Sequence, residues 1–187
     1  MAGISTLAIK IYENLYAILS IYGIMNYIIY RLWEATLMSE QQIVIFRLNG
    51  QLFGAEASQV FQIIKYQEVS KMPGMPNFME GVFNYRGIVL PIISLNKRFE
   101  LGDNEISKKT KVIVSKIQDK YAGFIVNDVT EIKNFAEEDI APAPVIGGQT
   151  VSFLKKVAKN GNQLISIIDL EKVLEDSEIK SLDFAKH

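Results

Sequence analysis

The chain has no cysteine, and its single histidine is the last residue, His187. Without cysteine there is no disulfide framework, no thiolate nucleophile and no cysteine-ligated zinc. Without an internal histidine there is no Ser-His-Asp triad, imidazole base or histidine-ligated metal within the fold. We therefore expect no cofactor and no metal site, and any catalysis would depend on carboxylates or lysines.

The chain also lacks an excess of charge of either sign. Its 20 Lys and Arg residues face 21 Asp and Glu residues, for a net charge of -1. Proteins dedicated to nucleic acids usually carry a basic excess or stripe, so we expect no nucleic-acid partner. The 187 residues are 49% hydrophobic, which suits one medium domain or two small ones sharing a core.

The familiar motifs of phosphate chemistry are missing as well. Neither GxxxxGK[ST] nor GxGxxG occurs in the sequence. The acidic run 137–139 places consecutive side chains in different directions, which favours a solvated loop over a cation site. The basic run 108–111 precedes a predicted strand, and no aromatic platform accompanies it. It is therefore interpreted as a solvent-exposed start of that strand and not as a phosphate-binding patch. These motifs predict no catalytic residues.

Residues 1–37 differ in composition from the rest of the chain. Residues 14–30 carry no charge, and as a helix they would reach only about 26 Å, short of a ~30 Å hydrocarbon core. Three interpretations stay open: a membrane anchor over 11–33, a helix that packs on the protein or on another copy, or a segment outside the mature protein. In the last case Met38 would be the natural start.

From residue 43 onward the pattern favours short strands. Asn-Gly at 49–50 separates two apolar runs and predicts a tight hairpin. The turn Tyr85-Arg86-Gly87 separates two further runs, and Pro91 is expected at a sheet edge or bulge because it has no N–H to donate. The predicted strand runs are 43–48, 51–54, 60–64, 82–84 and 88–93.

The chain also repeats itself. At an offset of 69 residues Ile43 aligns with Val112 and Gly54 with Gly123, and at an offset of 75 Leu90 aligns with Ile165. We interpret this as two similar halves, 40–104 and 110–175, each with about five short strands forming a small barrel. Helical spacing of apolar residues toward the end predicts a helix or tail over 176–187.

Arg86 stands out within its hairpin turn. It places a long cation on an otherwise apolar hairpin, and Gly87 is free to adopt a positive φ. From the residues alone, Arg86 is either an exposed structural turn residue or an anchor that forks hydrogen bonds to a partner.

The run 78–101, FMEGVFNYRGIVLPIISLNKRFEL, resembles CheW-type chemotaxis coupling proteins. The family stretch has the form G-V-x-N-x-R-G-x-x-x-P-x-x-x-L-x-x-x-F, and every fixed position is matched here. The matching residues are Gly81, Val82, Asn84, Arg86, Gly87, Pro91, Leu95 and Phe99. The likeness extends over about residues 41–175 and excludes residues 1–37.

The resemblance implies a mainly β protein of two SH3-like five-stranded β-barrel subdomains related by internal duplication, with a short C-terminal helix. It also implies a cytoplasmic adaptor located at receptor arrays, with no enzymatic activity. Its partners would be the helical cytoplasmic tip of a chemoreceptor (a methyl-accepting chemotaxis protein) and the regulatory domain of the histidine kinase CheA. The membrane would be reached only through receptors, unless 11–33 is an anchor.

The resemblance also assigns residues to two binding surfaces. The predicted receptor groove consists of Val60, Gln62, Gly81, Arg86, Gly87 and Val129. The predicted kinase surface consists of Tyr66, Val69 and Met72. The chain departs from the family pattern at four positions, Gln62, Tyr85, Ser94 and Lys156, which puts the receptor class in question.

Two alternatives to the soluble chemotaxis adaptor remain. One is a membrane-tethered CheW-like scaffold of another receptor–kinase system. The other is a small β-barrel enzyme that uses carboxylates, against which the missing internal histidine and cysteine weigh.

Overall fold

The computed structural model describes residues 40–144 and 151–182, together with Gly23. The interpretations of segment 1–37, including the anchor over 11–33, therefore lie outside the described residues, as do residues 183–187 of the predicted tail. Among the residues that are described, no helix is long and apolar enough to cross a membrane.

The described chain is built mainly of short strands with two brief α-helices, which confirms the predicted mainly β class and the short C-terminal helix. The strands are β1 (Gln41–Leu48), β2 (Gln51–Glu56), β3 (Gln62–Lys65), β4 (Met79–Tyr85), β5 (Ile88–Ser94), β6 (Lys111–Ile117), β7 (Lys120–Val126), β8 (Asp128–Phe135), β9 (Ile140–Pro142), β10 (Leu154–Asn160) and β11 (Gln163–Ile168). The helices are α1 (Leu95–Arg98) and α2 (Asp176–Ser181).

These strands form two sheets of equivalent topology, consistent with two SH3-like subdomains. One sheet has the order β8-β1-β2-β11-β10-β9, and the other has the order β3-β6-β7-β5-β4. The first therefore has six strands instead of the expected five, because the three-residue β9 pairs with β10. The equivalent position in the second sheet is a single bridge between Ser70 and Val82.

The internal duplication is visible in the strand register. Ile167 of β11 lies opposite Gly54 of β2 in a parallel pair, and Ile92 of β5 lies opposite Gly123 of β7 in the other parallel pair. Gly54 and Gly123 are the residues that the 69-residue offset aligns, and Ile92 and Ile167 are aligned by the 75-residue offset. The two sheets are thus repeats of one unit.

The two sheets do not follow the two sequence halves. Hairpin β1–β2, from the first half, hydrogen-bonds to β8 and β11 of the second. Hairpin β6–β7, from the second half, hydrogen-bonds to β3 and β5 of the first. Each sheet therefore combines 40–104 with 110–175, and exchange of the hairpins links the two units through the backbone ladder.

Three apolar clusters hold this arrangement together. Each sheet encloses its own small cluster, one around Ile43, Ile165 and Ile167 and the other around Leu90 and Val112. A third and larger cluster contains Phe46, Phe53, Ile113, Phe124 and α2 residues, and so draws on both hairpins. The exchanged hairpins are buried on both faces, which explains their nearly continuous apolar sequence.

The predicted turns are confirmed at both hairpins, while Pro91 is not where it was expected. Asn49 and Gly50 both have positive φ, as a type I′ turn requires. Pro91 lies within β5, which is not an edge strand, and the irregularity in its pairing with β4 falls at Met79/Gly81 instead. A proline fits because the pairing of β5 with β7 begins one residue later, at Ile92.

Arg98 fastens the C-terminal helix to α1. Its Nε donates to the carbonyl of Val173 at 2.8 Å, and its two Nη atoms donate to the carboxylate of Glu178, each at 3.0 Å. The guanidinium also lies over the ring of Phe78, 4.6 Å from the centroid. A forked and partly buried contact of this kind is among the stronger polar interactions in proteins.

We expect Arg98→Ala to lower the free energy of unfolding by about 2 kcal/mol, because it removes a charge-assisted pair and leaves a carbonyl without its donor. The melting temperature would fall by about 4–8 °C. Arg98→Lys keeps the charge but cannot make the fork, so it should recover only part of the loss. An unchanged melting curve for Arg98→Ala would contradict this role.

Candidate functional site

A cavity of about 510 Å³ opens where the two repeats meet, and we call it the junction cavity. Its wall comes from the chain after β2, from the β6–β7 turn and from the turn after β11. The described lining residues are Ser58, Gln59, Val60, Phe61, Lys116, Gln118 and Glu171. The cavity has both apolar and polar walls, as binding clefts in proteins commonly do.

Phe61 is the most conspicuous side chain of the junction cavity. Its backbone N–H donates to the carbonyl of Val114 at 2.8 Å, which fixes its position on β6. Its ring contacts Tyr121 at 5.0 Å between centroids, yet the residue is 58% exposed. An anchored aromatic with a free face is typical of a protein-binding hot spot. The alternating pattern of 60–64 gave no reason to select Phe61 over its neighbours.

Gln59 holds one wall of the junction cavity in place. Its amide donates to Oδ1 of Asp169 at 2.6 Å, and its side-chain oxygen accepts from the backbone N–H of Leu170 at 3.1 Å. Its own carbonyl accepts from the buried hydroxyl of Ser115 at 2.6 Å. Gln59 therefore connects three segments that are far apart in sequence.

A related set of hydrogen bonds, centred on Asn127, occurs in the other repeat. Asn127 Oδ1 accepts from the backbone N–H of Asn49 at 2.9 Å and from the amide of Asn96 at 3.0 Å. Asn127 follows β7 as Gln59 follows β2, and Asn96 follows β5 as Leu170 follows β11. These two sets of hydrogen bonds hold the segments that follow the exchanged hairpins. Gln59, after β2, is bonded to residues that follow β11, and Asn127, after β7, is bonded to the β1–β2 turn and to α1.

The turn between β4 and β5, which we call the arginine turn, presents Arg86 to solvent. Arg86 has a φ of +52° and lies over the Tyr85 ring at 5.4 Å, while Gly87 N–H donates to Asn84 Oδ1 at 2.8 Å. The hydroxyl of Tyr85 donates to the side-chain oxygen of Gln62. Three predicted groove residues, Gln62, Arg86 and Gly87, are therefore brought close together.

The remaining predicted groove residues lie elsewhere. Val60 lines the junction cavity, whereas Val129 lies on β8 opposite Phe46 and packs on the large cluster. Gly81 is buried in β4 with a φ of +145°, and a Cβ there would collide with the carbonyl of Ser70. The backbone at Gly81 thus lies close to the backbone of Ser70, and this contact positions the segment around Ser70.

That segment carries the predicted kinase surface. Tyr66 and Val69 are partly buried against the cluster inside the sheet of β3 to β7, and Met72 is exposed. The Ser70–Val82 bridge fixes the middle of the segment, with hydrogen bonds of 2.8 and 3.0 Å. Met72 then lines a cavity of about 200 Å³, the methionine cavity, with Met75 and Met79.

Tyr66 should report on this segment in a pH titration. Burial raises the pKa of Tyr66 above its ordinary value of 10.0, with further contributions from Glu80 and Glu68. A raised pKa in the folded state adds stability below the ordinary pKa, and this contribution is lost as the pH rises through the folded value. We expect tyrosine absorbance to show a late-titrating group that Tyr66→Phe removes, together with part of the stability loss above pH ~10. Ionisation of all tyrosines at the ordinary pKa would contradict this.

The other two departures from the family pattern, Ser94 and Lys156, also have clear contacts. The Ser94 hydroxyl accepts from Lys97 N–H at 3.1 Å and caps α1, as Asp169 caps the turn after β11. Lys156 Nζ donates to the side chain of Gln41 at 2.9 Å and joins β10 to β1. Within the described ranges, no group of three or more Asp, Glu, His or Cys is placed to hold a metal ion.

Comparison with known proteins shows which family this chain resembles over its described domain. The family model of the CheW-like domain matches residues 42–178. The chain belongs to the CheW-like family. The match covers both sheets and the junction cavity and ends within the C-terminal helix, and it confirms the resemblance first found in residues 78–101.

Individual CheW proteins agree with the family match. The chemotaxis protein CheW of Bacillus subtilis is 30% identical over 148 residues, covering 79% of this chain and 95% of that protein. The chemotaxis protein CheW of Treponema pallidum is 28% identical, covering 75% and 86% respectively. The crystal structure of the scaffolding protein TtCheW from Thermoanaerobacter tengcongensis superposes with a TM-score of 0.67 at 34% identity, covering 72% of this chain and 88% of TtCheW.

Proposed function

We propose that this CheW-like protein is a chemotaxis adaptor that couples the helical tips of chemoreceptors to the regulatory domain of the histidine kinase CheA. The observation that carries the proposal is family membership over residues 42–178 together with an open junction cavity bearing an exposed aromatic. The relatives' own names, chemotaxis protein and scaffolding protein, support it.

The receptor tip is assigned to the junction cavity. Val60 and Phe61 supply apolar surface, while Lys116 and Glu171 supply charges of both signs at the rim. An amphipathic helix docks by burying apolar side chains in such a groove and pairing its polar flanks with the rim. The hydrogen bonds of Gln59 to Asp169 and Leu170 hold one wall of the groove in place, which lowers the entropy lost on binding.

The kinase is assigned to a separate surface, the segment with Tyr66, Val69 and Met72. The Ser70–Val82 bridge and the close approach at Gly81 hold this segment on the edge strand β4. Because the two surfaces use different residues, the adaptor can bind both partners at once. It then raises the effective concentration of kinase at the receptors without any bond being made or broken.

The proposal is tested by pull-down of the full chain with an immobilised receptor tip and, separately, with the CheA regulatory domain. Retention by both supports it. Retention by neither, from protein that melts cooperatively, would overturn it.

Arg86→Ala addresses the arginine turn. Arg86 is exposed and its ring contact is with its neighbour Tyr85, so we expect the melting temperature to change little. We expect receptor binding to weaken by roughly tenfold, because the arginine turn lies beside the junction cavity through the Tyr85–Gln62 hydrogen bond, next to Phe61, and a docked helix that extends over it would lose a forked donor. The matched control is Lys159→Ala, an exposed cation on β10. A collapse in melting temperature with normal binding by the folded fraction would make Arg86 structural instead.

A further inference from the structure

Three of the chain's six methionines lie within eight residues, at positions 72, 75 and 79. All three line the methionine cavity, together with Lys71, Pro76, Asn77, Glu80 and Lys97. Their exposure is graded: Met72 is 41% exposed, Met75 is partly buried on the large cluster, and Met79 is 9% exposed. The three thioether side chains thus lie at increasing depth, from Met72 at the surface to Met79 in the core.

We infer that Met72, followed by Met75, is an oxidation site at which hydroperoxides convert the thioether to a sulfoxide and thereby weaken the kinase surface. The part of this inference that concerns the kinase rests on the proposed function. The site of modification does not, because it follows from exposure and from the chemistry of methionine.

The chemical step is balanced with hydrogen peroxide as the oxidant. The thioether sulfur of Met72 attacks one peroxide oxygen, forming an S–O bond as the O–O bond breaks. The departing hydroxide takes up the proton released from the transferred oxygen and leaves as water. Sulfur is oxidised by two electrons and the peroxide is reduced by two, so no other reactant is needed.

The structure explains why oxidation would alter the surface and spare the fold. Met72 lies two residues beyond Ser70, whose bridge to Val82 holds the segment on β4. Gly74, next in the loop, has a φ of +79° and open space around it, so the 72–75 loop can adjust locally. A sulfoxide at Met72 places a polar group where a flexible apolar side chain stood, and such changes disrupt methionine-rich interfaces.

The test treats the full chain with hydrogen peroxide and follows each methionine by peptide mass spectrometry. We expect the Met72 peptide to gain one oxygen first, Met75 next and Met79 last. Oxidation of Met79 before Met72 would overturn the inference whatever the protein binds. The melting temperature of the singly oxidised protein should stay near that of the untreated protein, and a collapse would mean that oxidation is damage to the core.

The regulatory part compares affinity for the CheA regulatory domain before and after treatment. We expect oxidation to weaken binding by roughly tenfold, as the loss of one well-packed apolar contact would do. In Met72→Leu/Met75→Leu the ratio of the two affinities should return to one, whatever the starting affinity. Met79→Leu, a volume-conserving core change, should keep the sensitivity. If untreated protein fails to bind the kinase domain, the proposed function fails; if it binds equally before and after oxidation of Met72, only this inference fails.

Discussion

Replacing Phe61 with alanine is expected to weaken binding of a receptor tip by about 2 kcal/mol, roughly thirtyfold in Kd. The ring sits at the junction cavity, is more than half exposed and is held by Tyr121 on one side and by the Phe61–Val114 backbone bond below. A partner helix would cover its free face and exclude water from it. Isothermal titration with a receptor-tip hairpin measures the loss directly.

The fold should tolerate the Phe61→Ala change. Because only part of the ring is buried, the melting temperature should fall by no more than about 4 °C. Leu164→Ala is the matched control, since Leu164 is 66% exposed on β11 and does not line the junction cavity. Equal losses for Phe61→Ala and Leu164→Ala, or none for either, would contradict the assignment of the groove.

Replacing Gly123 with valine is expected to cost about 3 kcal/mol or more of stability, because the site leaves no room for a side chain. A Cβ at Gly123 would lie 2.6 Å from Cδ1 of Ile92 and 2.7 Å from Cγ1 of Val112. Both neighbours are fully buried, so they cannot move aside into solvent. Urea unfolding of the variant should show a lower midpoint with a similar slope.

Gly54 offers an internal replicate of the Gly123 result. A Cβ there would lie 2.5 Å from Cγ2 of Ile43 and 3.3 Å from Cγ2 of Ile165, which are the repeat counterparts of Val112 and Leu90. Gly54→Val should therefore be destabilising by a similar amount. Lys159→Val, on an exposed position of β10, is the control for introducing valine into a strand. Stability unchanged by Gly123→Val would contradict the close packing of β5 on β7.

The sequence was sufficient for features that depend on near neighbours. The turn at Asn49-Gly50 and the strand runs are local patterns of turn residues and alternation, and both appear in the structure. The internal repeat was found by aligning the chain with itself. The family could also be predicted, since the run around Arg86 is long and specific. The helix at 176–181 also follows from the spacing of apolar residues, and the structure adds a capping box between Glu175 and Glu178.

The exchange of hairpins could not be predicted in the same way. The parallel pair of Gly54 with Ile167 joins residues more than a hundred positions apart, and alternation within either strand does not say which sheet it enters. The role of Gln59 could not be predicted for the same reason, because its partners Asp169 and Leu170 come from the other end of the chain. The exposure of Phe61 likewise depends on where the chain after β2 crosses β6.

Sedimentation velocity of the full chain mixed with a receptor-tip hairpin and the CheA regulatory domain tests the central claim most directly. The two proposed surfaces use different residues, so a single species containing all three components is predicted, and Phe61→Ala should release the receptor tip while leaving the kinase bound. Competition between receptor tip and kinase domain for one surface, or the absence of any complex with folded protein, would contradict the adaptor.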